Sequence, residues 1–146
     1  MRELPRKLTV DELAELFEGR TRFVELLAAT DDPLRRAEDL LATVCCKDKL
    51  EALNAHPAIG QRAGLSAHSA AEQGAEADAA VLDELERLNM AYEDRFGFRF
   101  VVFVNGRPKA EILEVLRGRI ENTKEEELDT GCRELVAIAR DRWIRT

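Results

Sequence analysis

Apolar residues recur along most of this chain three and four positions apart, the spacing that gathers them on one face of a helix. Thr9-x-x-Glu12 is a capping box, and Leu13, Leu16 and Phe17 follow it at helical spacing. The stretch GRTRFVELLAAT puts Phe23, Leu26 and Leu27 on one face. Asp32 then Pro33 reads as an N-cap with proline at the first helical position, ahead of a stripe of Leu34, Ala37, Leu41, Val44 and Cys45. KDKLEALNA is a short helix that Pro57 terminates. A long helix is predicted from about Ala75 to Phe96, on Leu82, Leu85, Leu88 (or Asn89) and Tyr92. PKAEILEVLRGRI is a helix with proline at its start, and Thr123-x-x-Glu126 opens a last one on Leu128, Cys132, Leu135, Ala139 and Trp143. The pattern predicts an all-α fold: a single compact multi-helix domain over residues 1–146.

Two stretches break the helical pattern. Between Pro57 and Gly74 the chain is rich in Gly and Ala, with Ile59 and Leu65 as its long apolar side chains, so it is the least core-like part. FGFRFVVFVNGR, residues 96–107, instead alternates Phe98, Phe100, Val102 and Val104 with other residues and ends in NG. In isolation that is a strand. No second run of this kind exists to pair with it, and a lone strand leaves backbone groups unsatisfied. A buried extended segment or a helix, wedged among the other helices, is therefore expected. It carries four of the six phenylalanines and can wall a pocket.

Composition narrows the classes. With 45% apolar and 35% charged residues the chain has the balance of a globular protein, and its length suffices for a core without disulfides or metal. A net charge of -7 argues against nucleic acid or an anionic membrane as partner, since both call for basic stripes. No apolar run approaches the roughly 20 residues of a membrane span. MRELPRKLTVDELAEL lacks the apolar centre of a secretory signal, and the end, WIRT, is no targeting tripeptide, so a cytoplasmic protein is expected. Cys45, Cys46 and Cys132 are odd in number and two are adjacent, which suits reduced thiols buried as small apolar groups. With no CxxC or HxxxH and only two histidines, no metal site is expected. The charge runs EEE and DDP read as solvated faces or helix starts.

The candidate chemistry is thin. His56 stands directly before Pro57, where a helix must end. It is either a partly exposed residue satisfying the last helical carbonyls or a functional imidazole projecting from a fixed exit. Ser69, Glu72 and Gln73, in SAAEQ, share one helix face if the stretch is helical. They form either a polar binding face or a plain capping box. Arg107 follows NG and reads as a turn residue, and His68 as a surface residue. No nucleophile elbow, phosphate loop or dinucleotide fingerprint occurs.

Taken in order, HPAIG, SAAEQ, NMAYEDRFGFRFVVFVNGR and AEILEVLRGRIENTKEEEL resemble the 2-oxo-4-hydroxy-4-carboxy-5-ureidoimidazoline (OHCU) decarboxylases of urate breakdown, across essentially the whole chain. Each motif alone is weak; the ordered set is specific. The resemblance implies an all-α fold and a cofactor-free enzyme that removes CO2 from OHCU and releases (S)-allantoin. It implies His56 as the central catalytic residue, with Glu72 beside it. Pro57, Ser69 and Gln73 would line the site, with backbone contacts from around Phe100 and Val101. Arg107 matches the GR position, as a ligand contact or as a brace of the fold. Ala58 stands where many members carry a larger polar residue, and Arg99 where many carry a smaller or apolar one. A homodimer is implied as well. An imidazole with an ordinary pKa near 6.5 could handle the proton. The rival readings are a non-enzymatic helical binding domain and a paralogue acting on a related ureide.

Overall fold

The computed structural model describes residues 3–59, His68 and 78–145. Among them are seven helices and no strand: α1 (Val10–Phe17), α2 (Arg22–Ala28), α3 (Pro33–Thr43), α4 (Cys46–Asn54), α5 (Ala79–Phe96), α6 (Lys109–Arg119) and α7 (Lys124–Arg145). The capping box of α1 forms as expected, with Thr9 Oγ1 accepting from the Glu12 N–H and Glu12 accepting from the Thr9 N–H. Thr123 and Glu126 repeat it at α7. Asp32 does begin α3, but in the left-handed conformation and without a side-chain cap. On α2 the fully buried set is Phe23, Val24 and Leu27, with Leu26 half-buried. The predicted start of the long helix at Ala75 lies outside the described residues.

Helix α7 is the axis of the molecule. It packs on α1, α3 and α4, while α5 and α6 pair with each other. Its buried stripe is Glu127, Gly131, Cys132, Leu135, Val136, Ile138, Ala139 and Arg142, while Leu128 and Trp143 are only half-buried. The expected stripe was thus rotated by about one position, because a pattern of apolar residues alone discounts the charged groups at both ends. At Gly131 an added Cβ would lie 3.1 Å from Leu53 Cδ2, a tight contact between α7 and α4. The cysteine expectation holds for Cys132 and fails for Cys45 and Cys46, which are exposed. They sit at the N-cap and first turn of α4, on the connection from α3, which runs over the surface.

Of the two expected forms, residues 98–104 take the buried extended one and not the helix. Phe98, Phe100, Val101, Val102 and Val104 are buried. Side chains take the place of a partner strand. The Arg99 N–H donates to Asn54 Oδ1 at 2.9 Å and the Phe103 N–H to Glu134 Oε1 at 3.2 Å. The Val101 carbonyl accepts from Arg119 Nη1 at 2.8 Å. Asn105 and Gly106, both at positive φ, close the segment in a tight turn with Arg107 N–H on the Val104 carbonyl. This is why an alternating sequence stays outside any sheet: its polar backbone is satisfied one group at a time.

Candidate functional site

Three pieces of chain meet at one recess: the exit of α4, the aromatic segment, and the last turns of α7. Helix α4 stops at Asn54, Ala55 caps it, and His56 N–H donates to the Leu53 carbonyl at 3.2 Å. Proline at 57 then forbids another helical turn. His56 is therefore at the exit, as expected, but it is not a partly exposed cap: only 5% of it is accessible. Its Nε2 is buried and has no hydrogen-bond partner among the described residues.

Burial pushes the His56 imidazole down to about 3, helped by the positive charges of Arg142 and Arg99 and opposed by Glu18. The expectation of an ordinary pKa near 6.5 is corrected accordingly. His56 is therefore neutral at physiological pH, a base and hydrogen-bonding group rather than a cation.

His56 and Pro57 form one wall of the recess, Phe100 and Val101 belong to the second, and Ile138 and Arg142 to the third. Its cavity volume is about 40 Å³, and it opens to solvent at its mouth. Arg142, only 1% exposed, is the functional candidate that pattern reading missed. Its Nη1 donates to the Leu16 carbonyl at 3.0 Å, and its Nη2 pairs with Glu18 Oε1 at 3.0 Å. Glu18 is reached because α1 ends there in the left-handed conformation. One signal existed in the sequence. Arg142 lies seven residues after Leu135 and three after Ala139, in register with the buried face.

A second buried polar cluster supports the recess from behind. Glu127, fully buried, accepts from Tyr92 Oη at 2.6 Å and Arg119 Nε at 2.8 Å on one oxygen, and from Asn122 Nδ2 at 2.9 Å on the other. Arg119 also lies over the Phe100 ring, 4.6 Å from its centroid. Burial and the bond to Glu127 push the Tyr92 phenol well above the usual tyrosine range. The run EEE was expected to be solvated, and Glu125 and Glu126 are exposed, but Glu127 is the core of this network.

Of the predicted site residues, His56, Pro57, Phe100 and Val101 come together at the recess. Arg107 does not line it. Its Nε donates to the Val104 carbonyl at 3.1 Å and its Nη2 to the Phe103 carbonyl at 2.6 Å, which favours the brace over the ligand contact. Ser69, Glu72 and Gln73 lie outside the described residues; His68 is half-buried. Among the described residues no three His, Cys, Asp or Glu side chains converge as metal ligands, and no helix is long and apolar enough to cross a membrane.

An all-α body with a buried neutral imidazole and a buried arginine on one recess defines a helical protein with a small-molecule site. The OHCU decarboxylase family profile matches residues 2–143, and the chain belongs to that family. It is 31% identical over 141 residues to the 2-oxo-4-hydroxy-4-carboxy-5-ureidoimidazoline decarboxylase of Haloferax volcanii, covering 89% of this chain and 83% of that one. It is 36% identical over 107 residues to the uric acid degradation bifunctional protein TTL of Arabidopsis thaliana, covering 67% of this chain and 33% of that protein. With the bifunctional protein PucL of Bacillus subtilis it shares 27% identity, over 97% of this chain and 31% of that protein. The chain thus spans about a third of the length of these two bifunctional relatives. A crystal structure of OHCU decarboxylase in the presence of (S)-allantoin superimposes with a TM-score of 0.76 at 28% identity, covering 90% of this chain and 94% of that one. A crystal structure of (S)-allantoin synthase, at 24% identity, shares the fold with a TM-score of 0.70, over 93% of this chain and 48% of that one.

Proposed function

We propose that this chain is a carboxy-lyase that converts OHCU into (S)-allantoin and CO2 in urate breakdown, without a cofactor. The observation that carries the reading is His56. Leaving a buried polar atom without a partner costs about 1–3 kcal/mol. Among the described residues nothing partners Nε2, and on the wall of a recess that leaves an imidazole ready for a ligand. A helical scaffold domain has no use for such a group.

The substrate supports the same reading. OHCU carries a hydroxyl and a carboxylate on one carbon, next to a C=N bond. When the C–CO2 bond breaks, its electron pair moves into that C=N, so the substrate is its own electron sink. The ring nitrogen that receives the pair takes up a proton from solvent, the hydroxyl loses its proton as the carbonyl of allantoin forms, and the neighbouring carbon gains one. The protein has to orient the substrate and carry protons. Neutral His56 is a base for the hydroxyl proton. An anionic substrate beside it offsets the field of Arg142 and Arg99 and raises its proton affinity, so that binding itself prepares His56 to take the proton. Arg142, anchored to Glu18 and to the Leu16 carbonyl, sets a fixed positive charge for the carboxylate end.

Glu72 is assigned to hydrogen-bonding the substrate hydroxyl or His56. Ser69 and Gln73 hold the ring and the ureido arm, together with Pro57 and the backbone near Phe100 and Val101. These assignments rest on the family resemblance, as does a homodimer; a single domain over residues 1–146 rests on the length and the helical pattern. A cytoplasmic location and the absence of nucleic-acid or membrane partners rest on the composition. Proton delivery to one face of the planar intermediate sets the S configuration. The test is circular dichroism of freshly generated OHCU with and without the protein. The reading expects an (S)-allantoin signal that grows faster than the spontaneous, racemic decay. A trace that matches the protein-free control contradicts it.

A further inference from the structure

Arg99, one of the two positions noted as departures from the common family pattern, touches the site from the side. Its Nη1 donates to the His56 carbonyl at 2.6 Å, and its Nη2 lies 3.6 Å from Glu93 Oε1 on α5. The backbone of the same residue is tied independently, with its N–H on Asn54 Oδ1. The chain at His56 needs such a hold. Helix α4 has already ended, and Pro57 has no N–H with which to extend a turn. Among the described residues, the Arg99 guanidinium is what joins the backbone of His56 to the aromatic segment and to α5.

We propose that Arg99 is a positioning residue for His56, fixing the backbone from which the imidazole projects so that Nε2 is in place before substrate arrives. This rests on the reading of His56 as the proton-handling group. The residue supplies no group to the recess itself. Its effect is therefore on the geometry of the reacting complex more than on ligand affinity. Three charged groups bear on the imidazole among the described residues: Arg142 on α7, Glu18 at the end of α1, and Arg99. The first two are unaltered by a change at position 99.

The variants are Arg99→Gln and Arg99→Lys. Both keep the backbone bond to Asn54, so the segment stays docked. Two readouts are taken on each: kcat and KM for OHCU, and the ring Cε1–Hε1 NMR signals of the two histidines, His56 and His68. For Arg99→Gln the expectation is a kcat lowered about 10-fold with KM within about 2-fold, because a displaced catalytic group costs turnover before binding. The His56 signal broadens or splits while that of His68 is unchanged. Arg99→Lys, which can still donate to the His56 carbonyl, recovers part of kcat. Wild-type kcat together with a single unchanged His56 signal in Arg99→Gln overturns the proposal. So does a fall in kcat that tracks a rise in KM and a lower melting temperature in both variants. If wild type does not turn OHCU over, yet Arg99→Gln still perturbs the His56 signal alone, the decarboxylase reading falls and the hold of Arg99 on His56 stands.

Discussion

His56 is neutral because burial, followed by Arg142 and Arg99, holds its pKa at about 3. The unfolded chain protonates the same group near 6.5. Between these values the unfolded state binds more protons than the folded one, so stability falls as pH drops from about 6.5 towards 3. Replacing His56 by Gln removes that dependence. Thermal melts at neutral pH and at about pH 4.5 should therefore show a smaller loss of Tm for His56→Gln than for wild type. An equal loss in both would contradict a buried, neutral imidazole. This was not legible in the sequence. Pro57 marked the exit of a helix, and so located His56, but whether an exit faces water or core depends on what packs over it. Here that is Phe100, Val101 and Arg142, which are distant in the chain.

At the scale of elements, the aromatic segment shows how local pattern and tertiary context divide the work. Its alternation and its NG turn were plain, and the absence of a partner run excluded a sheet. What satisfies its backbone was not plain, because the donors and acceptors are long side chains on other helices. Arg119 is one of them, and its partner Glu127 sat in a run of glutamates that reads as solvent-facing. Removing one member of a buried ion pair strands the other, at a cost of about 3–5 kcal/mol. Glu127→Ala should lose about that much in urea unfolding, while Tyr92→Phe, which deletes one neutral donor to the same carboxylate, should lose about 1 kcal/mol. Similar losses for the two would mean that the carboxylate is not the centre of the network. Helix packing gives a companion case. Gly131→Ala places a methyl 3.1 Å from Leu53 Cδ2 and sets that tight contact against the roughly 1 kcal/mol that Ala gains over Gly inside a helix, whereas the exposed Cys45 and Cys46 should accept Ser within about 0.5 kcal/mol. Comparative melts of these variants decide the matter.

At the scale of the whole molecule, the last turns of α7 tie the two ends of the chain together. Arg140 Nε donates to the Leu34 carbonyl at 2.7 Å, Arg142 Nη1 to that of Leu16 at 3.0 Å, and Trp143 Nε1 to that of Glu3 at 2.7 Å. These contacts also build the site, since Arg142 lines the recess and pairs with Glu18. Site and core should then be lost together. Urea transitions followed by Trp143 fluorescence, from the sole tryptophan, and by far-ultraviolet circular dichroism should superimpose. A separate, earlier Trp143 transition would show α7 detaching on its own. The helical class was readable because most of the chain is amphipathic at one period. Proline and alternation marked the backbone at HP and FGFRFV, but only the family resemblance joined His56, Pro57, Phe100 and Val101, which line one recess, into a candidate site. Arg142 and Glu127 were not readable, because a charged residue on a buried face looks like any surface charge until its partners are known.

The central claim is that a buried, neutral His56 carries the proton in OHCU decarboxylation. The most direct test is His56→Asn, compared with wild type by stereospecific (S)-allantoin formation at matched thermal stability. Loss of a positioned acid–base group should lower kcat/KM by about 10²- to 10⁴-fold. A folded His56→Asn protein that forms (S)-allantoin at the wild-type rate would contradict the account.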